Sequence, residues 1–250
     1  MDLSRRSYHK ELLDRNDIPF ADIRRNMQEL NFINTYLGGH QITVSGLKKI
    51  IRHGKPAGLP EILICEIGCG GGDNLKAIAG WCKKNNIHAS FIGIDINGDC
   101  IEVANDMCRD LKARFIHSDY KKVNFEKKPG IIFSSLFCHH FSNEELVDML
   151  QWMRTNATAG FFINDLHRHI VAYHSIKWLS RIFSKSYLVK NDAPLSVARG
   201  FAKQEWMALL HAAEIRQFSI YWKWAFRWLI VAIHEPEPVS LDFQSQHSSH

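Results

Sequence analysis

The stretch Glu66-Ile67-Gly68-Cys69-Gly70-Gly71-Gly72-Asp73-Asn74 decides how this chain is read. It follows the apolar run Ile62-Leu63-Ile64-Cys65, which reads as a buried strand, and it leads into Asn74–Lys83, which reads as a helix. Glycines between a strand and a helix let the backbone turn sharply and let a ligand approach with no Cβ in the way. The spacing is Glu66-x-Gly68-x-Gly70-x-Gly72. The nicotinamide and flavin fingerprint, G-x-G-x-x-G/A, fails here, because the position that should hold its last glycine is Asp73. A carboxylate at that helix start also repels a pyrophosphate.

S-adenosylmethionine carries no phosphate. Its sulfonium, amino acid end and ribose tolerate an acid at the turn. Two further strand ends support it. Phe91-Ile92-Gly93-Ile94 reads as a second strand ending at Asp95-Ile96, where a carboxylate can accept both ribose hydroxyls. Arg114–His117 reads as a third strand ending at Ser118-Asp119-Tyr120, with another acid at the strand end. Each acid alone could be a turn or helix cap. Three at consecutive strand ends favour a ligand.

The alternation continues outward. Cys100–Leu111 and Asn143–Thr155 read as helices, and Ile131–Ser135 and Phe161–Asn164 as the fourth and fifth strands. A helix at Phe201–Ala213 and strands at Gln217–Trp222 and Phe226–Ile233 close the pattern. Continuous apolar strands joined by helices predict an α/β fold, a parallel sheet covered on both faces.

Segments outside this rhythm are read separately. Residues 1–57 look helical and polar, with Ile23, Met27, Leu30 and Ile33 at helical spacing, a break at Gly38-Gly39-His40 and a second helix over Val44–Ile51. They form an N-terminal cap. Pro56 and Pro60 bracket a loop before the main domain, 58–234. Residues 166–200 are a lid insert, with Ala172, Ile176, Leu179 and Phe183 on one stripe and Arg168, Lys177, Arg181 and Lys185 beside it. That stripe suits core packing, a lid over a lipophilic substrate, or a membrane-surface contact. Residues 235–250 read as a disordered tail.

The chain has 250 residues, 31 Lys+Arg against 26 Asp+Glu and a net charge of +5. The charges are scattered, so nucleic acid is not an expected partner. The charged N-terminus leaves no room for a signal peptide, and no apolar run is long enough for a membrane span. The six cysteines form no C-x-x-C pair and read as reduced thiols of a cytoplasmic protein, with no metal expected.

The Glu66–Gly72 turn, Asp95 and Asp119 together resemble the class I S-adenosylmethionine-dependent methyltransferases, over roughly Gly58 to Ile233. The resemblance implies a Rossmann-like sheet of seven strands, mostly parallel, with one reversed strand near the C-terminus. Leu37-Gly38-Gly39-His40, Asn164-Asp165-Leu166-His167-Arg168-His169 and Asp192-Ala193-Pro194-Leu195-Ser196-Val197-Ala198-Arg199-Gly200 resemble a bacterial group of small-molecule O-methyltransferases found with type III polyketide synthases. The expected cofactor residues are Glu66, Gly68, Gly70, Gly72, Asn74, Asp95, Ile96, Ser118, Asp119, Tyr120 and Ser135.

Ligands gather at the carboxyl ends of strands in such sheets. The fourth strand ends in Ser135-Leu136-Phe137-Cys138-His139-His140, and the fifth in Asn164-Asp165-Leu166-His167. His139 is the first candidate for a base, His140 the second, Asp165 an assistant and His167 the reserve. A phenol of pKa about 10 is ionised to about one part in a thousand at pH 7, so a histidine base would help. The expected reaction is O-methylation of a small, lipophilic aromatic molecule. C- or N-methylation of a quinone precursor or amine, and a non-catalytic cofactor-binding module, stay open.

Overall fold

The computed structural model describes residues 2–15, 17–53 and 61–234. The loop expected at Pro56–Pro60 and the tail from Glu235 lie outside the described residues. The sheet comprises β1 (Ile62–Ile67), β2 (Ala89–Asp95), β3 (Ala113–His117), β4 (Ile131–Ser135), β5 (Gly160–Leu166), β6 (Phe218–Lys223) and β7 (Arg227–Ile233). Their order is β3-β2-β1-β4-β5-β7-β6. Pairs among β1 to β5 are parallel, whereas β7 runs antiparallel to both β5 and β6. The order reverses between β1 and β4, which places the crevice for a ligand beside the glycine turn.

The helices are α1 (Phe20–Tyr36), α2 (Gly39–His53), α3 (Asp73–Lys84), α4 (Gly98–Met107), α5 (Asn143–Asn156), α6 (Ile170–Phe183), α7 (Tyr187–Arg199) and α8 (Lys203–Ala212). Successive strand residues point to opposite faces, so the apolar runs feed two cores. Ile64, Phe133, Phe162, Leu229 and Val231 pack with Leu47, Ile50, Leu75 and Ile78 of α2 and α3. Cys65, Ile67, Phe161, Ile163 and Ile230 pack with α5 and α8 through Leu146, Leu150, Trp206 and Leu210. Ile23 and Met27 of α1 join Cys100 and Val103 of α4 in a third cluster. All six cysteines are buried and free.

Two readings of the N-terminal part are corrected. Residues 2–15 are not α-helical; they form an extended strap with one 3-10 turn at Leu12–Asp14. The strap's backbone is satisfied by distant groups instead of a helix ladder: Leu12 and Leu13 N–H donate to the Asp192 carboxylate, and Ser7 N–H to the Ala198 carbonyl. α2 begins at Gly39, five residues before the expected Val44, because Gly38, at φ 77°, turns the chain directly out of α1. Gly46 of α2 lies on β5, where an added Cβ would stand 2.4 Å from the Phe162 ring. The insert after β5 consists of α6 and α7, which pack on each other.

Candidate active site

Gly68, Gly70 and Gly72 all adopt positive φ, at 67°, 49° and 77°. The turn they make hangs from β2, since Gly68 and Cys69 N–H both donate to the Ile94 carbonyl. Phe137 and Met27 roof it: a Cβ on Gly68 would lie 2.2 Å from the Phe137 ring, and one on Gly70 3.3 Å from Met27 Sδ. Asp95 ends β2 with Oδ2 accepting from Gly70 N–H and Oδ1 from Asn97 N–H, both at 2.9 Å. Burial raises its pKa, and these two bonds only partly offset that.

Glu66 is fully buried beneath the turn. Asn74 donates to its Oε1 at 3.1 Å, while Oε2 has no partner. Burial, followed by the charge of Asp73, raises the Glu66 pKa well above the usual carboxylate range. From Asn74 a polar chain runs across the sheet ends. Thr43 donates to Asn74 Oδ1 at 3.1 Å, and Asn164 Nδ2 reaches Thr43 Oγ1, the Gly39 carbonyl and Ser135 Oγ. His40 Nε2 pairs with Asp73 at 2.8 Å.

Arg227, the first residue of β7, belongs to a second polar group, through Asn34 to Asp73 and His40. It is 3% exposed. One guanidinium nitrogen donates to Asn34 Oδ1 at 3.0 Å, while Nε and Nη1 have no partner. Burial pulls its pKa down to about 10, against the opposing pull of Asp165 and Asp73. An unpaired buried guanidinium is costly and calls for an anion.

The second cluster follows β4. His139 Nδ1 lies 2.8 Å from Asp165 Oδ1, and its Nε2 lies 3.5 Å from Glu11 Oε1 of the strap. His140 turns Nε2 to Glu11, at 3.8 Å, and Nδ1 to Asp14, at 3.2 Å. Burial alone would lower the His139 pKa. The charges and hydrogen bonds of Asp165 and Glu11 outweigh it and hold the value up at about 9. Both carboxylates are correspondingly lowered in spite of their burial. Arg199 Nε and, more distantly, Arg6 donate to the His139 carbonyl, and Arg6 also binds Asn143 and the Phe141 carbonyl. The donor atoms of Glu11, His139 and His140 lie within 4.8 Å of one another, a set that could receive a cation.

Ser135 is buried against Asn164. Asp119 Oδ1 caps the short turn after β3 by accepting from Lys121 N–H, and Ser118 Oγ donates to the Asp119 carbonyl. Ile96 is exposed on the rim. The Tyr120 ring is buried in the α5 core, edge-on to Trp152 at 5.0 Å. His167 is not brought to His139. It accepts from Trp222 Nε1 at 3.2 Å and lies against Trp228 and Phe226. Burial and the nearby His169 lower its pKa.

Sequence reasoning missed Glu11, Arg6, Asn34, Thr43 and Arg227. His40 and Arg199 stood inside quoted motifs without a role. No local spacing marks any of these residues, because each meets the site only through tertiary contacts.

The strand order, reversed β7 and glycine turn are those of the Rossmann-like methyltransferase fold. Residues 64–160 match the family model described as a methyltransferase domain. Among solved structures, the plantazolicin methyltransferase in complex with a triazolic desmethyl analogue and SAH aligns with a TM-score of 0.64 and 18% identity, covering 85% of this chain and 91% of that one. The magnesium protoporphyrin IX methyltransferase of Synechocystis with bound SAM aligns with a TM-score of 0.56 and 15% identity, covering 88% and 93%. These likenesses define the fold. No curated protein matches the sequence.

Proposed function

We propose that this chain transfers a methyl group from S-adenosylmethionine to a hydroxyl of a small, lipophilic aromatic molecule. The observation that carries the cofactor reading is the set of orphaned buried polar atoms around the glycine turn: Glu66 Oε2, Asn164 Oδ1 and Arg227 Nε and Nη1. They belong to two polar groups: Glu66–Asn74–Thr43–Asn164, and Arg227–Asn34, which runs on to Asp73 and His40. An amino acid end group, with one ammonium and one carboxylate, matches them in charge and in hydrogen bonding. Arg227 would take the carboxylate, and the acids beneath the turn would favour the ammonium. Asp95 would exchange a backbone N–H for the ribose hydroxyls, and Asp119 would meet the adenine amino group. The bound cofactor supplies an electrophilic methyl group.

The acceptor end is assigned to His139 and Asp165. Asp165 holds Nδ1 of the ring, which leaves Nε2 as the atom that faces Glu11. An acceptor hydroxyl entering here takes the place of Glu11 opposite Nε2. Removing that carboxylate lowers the pKa of the ring toward neutrality, so Nε2 can receive the hydroxyl proton. Asp165 then stabilises the imidazolium. The strap and the roof over the turn keep water from the reacting atoms. O-methylation is favoured over N- or C-methylation because a hydroxyl is the acceptor that most needs a base of this kind.

Purified protein incubated with labelled S-adenosylmethionine and a panel of phenols, quinones and amines tests this reading. Label transfer to phenols is expected. Transfer to amines alone would overturn the acceptor assignment, and tight binding of NAD would overturn the cofactor assignment.

A further inference from the structure

Helix α6 packs on the body of the protein by a narrow edge. Only Ala172 and Ser180 of its fourteen residues are buried. The stripe read from the sequence starts in the core at Ala172 and runs out of it, so Leu179 is exposed and Phe183 is 74% exposed. A second apolar line was not read from the sequence. At 3.6 residues per turn, Val171, Trp178 and Ile182 fall on one outward face. All three are exposed, Trp178 and Ile182 at 65% each. An unpartnered apolar face of this kind marks a contact surface.

Charge identifies the occupant. The helix, Ile170 to Phe183, contains no Asp or Glu. Lys177 and Arg181 lie along its edge and Lys185 follows it. None of the three has a carboxylate partner among the ion pairs of the described residues. The nearby Glu29 is engaged elsewhere, accepting from the Ser184 hydroxyl and from Lys185 and Ser186 N–H. A second copy of the chain docked by two-fold symmetry would set these cations against their own images. An anionic lipid surface satisfies both the cations and the apolar face.

We propose that α6 is an interfacial helix, lying in the surface of an anionic bilayer with Val171, Trp178 and Ile182 among the acyl chains. Fourteen residues span about 21 Å at 1.5 Å per residue, too short to cross a hydrocarbon core of about 30 Å. No described helix is long and apolar enough to cross a membrane. The helix therefore lies in the plane. Its first end is near the site: His169, which caps it, stacks on Phe226 at 4.8 Å in the β6–β7 turn, beside the carboxyl end of β5. A bilayer contact there brings a lipophilic molecule close to the strand ends. The bilayer contact itself does not depend on which acceptor the enzyme uses.

Co-sedimentation of the full chain with vesicles tests this. The vesicles are phosphatidylcholine alone and phosphatidylcholine mixed with phosphatidylglycerol. Binding is expected only to the anionic vesicles, weakening as salt is added. Each of Lys177→Gln, Arg181→Gln and Lys185→Gln should weaken it roughly fivefold. The triple variant Val171→Ser, Trp178→Ser, Ile182→Ser should abolish it. Because these side chains are exposed, unchanged circular dichroism and unchanged binding of S-adenosylhomocysteine show that the variants are folded. Absence of anionic-vesicle binding, or binding that survives the triple variant, overturns the proposal. A dimer seen in sedimentation velocity and lost in the triple variant, without vesicle binding, would overturn it in favour of a second copy.

Discussion

His139 Nε2 lies 3.5 Å from Oε1 of Glu11, so a carboxylate from the N-terminal strap closes over the ring that follows β4. Asp165 from β5 holds the other ring nitrogen, and His140, Asp14, Arg6 and Arg199 surround the pair. The cluster joins four stretches of chain: the strap, the turn after β4, the end of β5 and the end of α7. It is where the strap, the acceptor end and the insert meet.

This clamp has a pH signature. The His139 pKa is raised to about 9, because Asp165 and Glu11 outweigh its burial. A histidine raised in the folded state contributes stability that is fully present below its unfolded pKa and is lost as pH rises through the folded value. The strap should therefore stay docked at neutral pH and loosen through about 9. Thermal denaturation followed against pH should show this loss in the wild type and a flatter curve in Glu11→Gln.

The same carboxylate should control the base. A proton acceptor must be neutral, so kcat/KM, which reports the free enzyme with Glu11 in place, should rise with pH toward the His139 value. Glu11→Gln removes one charge that holds the proton and should move that limb to lower pH. His139→Ala should lower turnover by about 100- to 10,000-fold while leaving cofactor affinity nearly unchanged. An unmoved limb in Glu11→Gln would show that another group is titrating.

Cofactor variants should divide by the part of the ligand they touch. Arg227→Gln should weaken S-adenosylhomocysteine by about thirtyfold or more, the loss expected when a buried charge pair is broken. It should leave 5′-methylthioadenosine, which lacks the amino acid end, unchanged. Asp95→Ala should weaken both, since both carry the ribose. Calorimetry with the two ligands measures the difference. Equal losses on both ligands in Arg227→Gln would show that Arg227 only supports the fold.

The carboxylates around His139 already face cations of the chain itself. Glu11, Asp14 and Asp165 supply three negative charges, and Arg6, Arg199 and the His139 imidazolium supply three positive ones. Turnover should accordingly be unchanged after dialysis against a chelator. Restoration of activity by a divalent cation would instead place an ion between Glu11 and the two histidines.

Gly46→Ala should destabilise the protein by about 1–3 kcal/mol, the usual result of overpacking. The added Cβ would stand 2.4 Å from the Phe162 ring, which is itself stacked on Phe133 at 4.8 Å. A chain of this size should lose about 2–4 °C in Tm for each kcal/mol.

The sequence alone determined the strand–helix alternation and the glycine turn after β1. Ile131–Ser135 is a strand within the expected bounds, and the glycine turn lies where it was read, because apolar runs and positive-φ glycines are local properties. His139 and Asp165 could be paired in advance, since adjacent parallel strands must deliver their ends to one edge. Only the tertiary structure decided the rest. Glu11 reaches His139, and Arg227 reaches Asn34, across most of the chain, and no periodicity encodes such a meeting. The strap was misread as helix because its backbone donors are satisfied by Asp192 and Ala198, partners that a local pattern cannot supply. The two apolar lines of α6 are both present in its sequence. Which one faces the core is fixed by what packs against the helix, and that is a property of the folded chain.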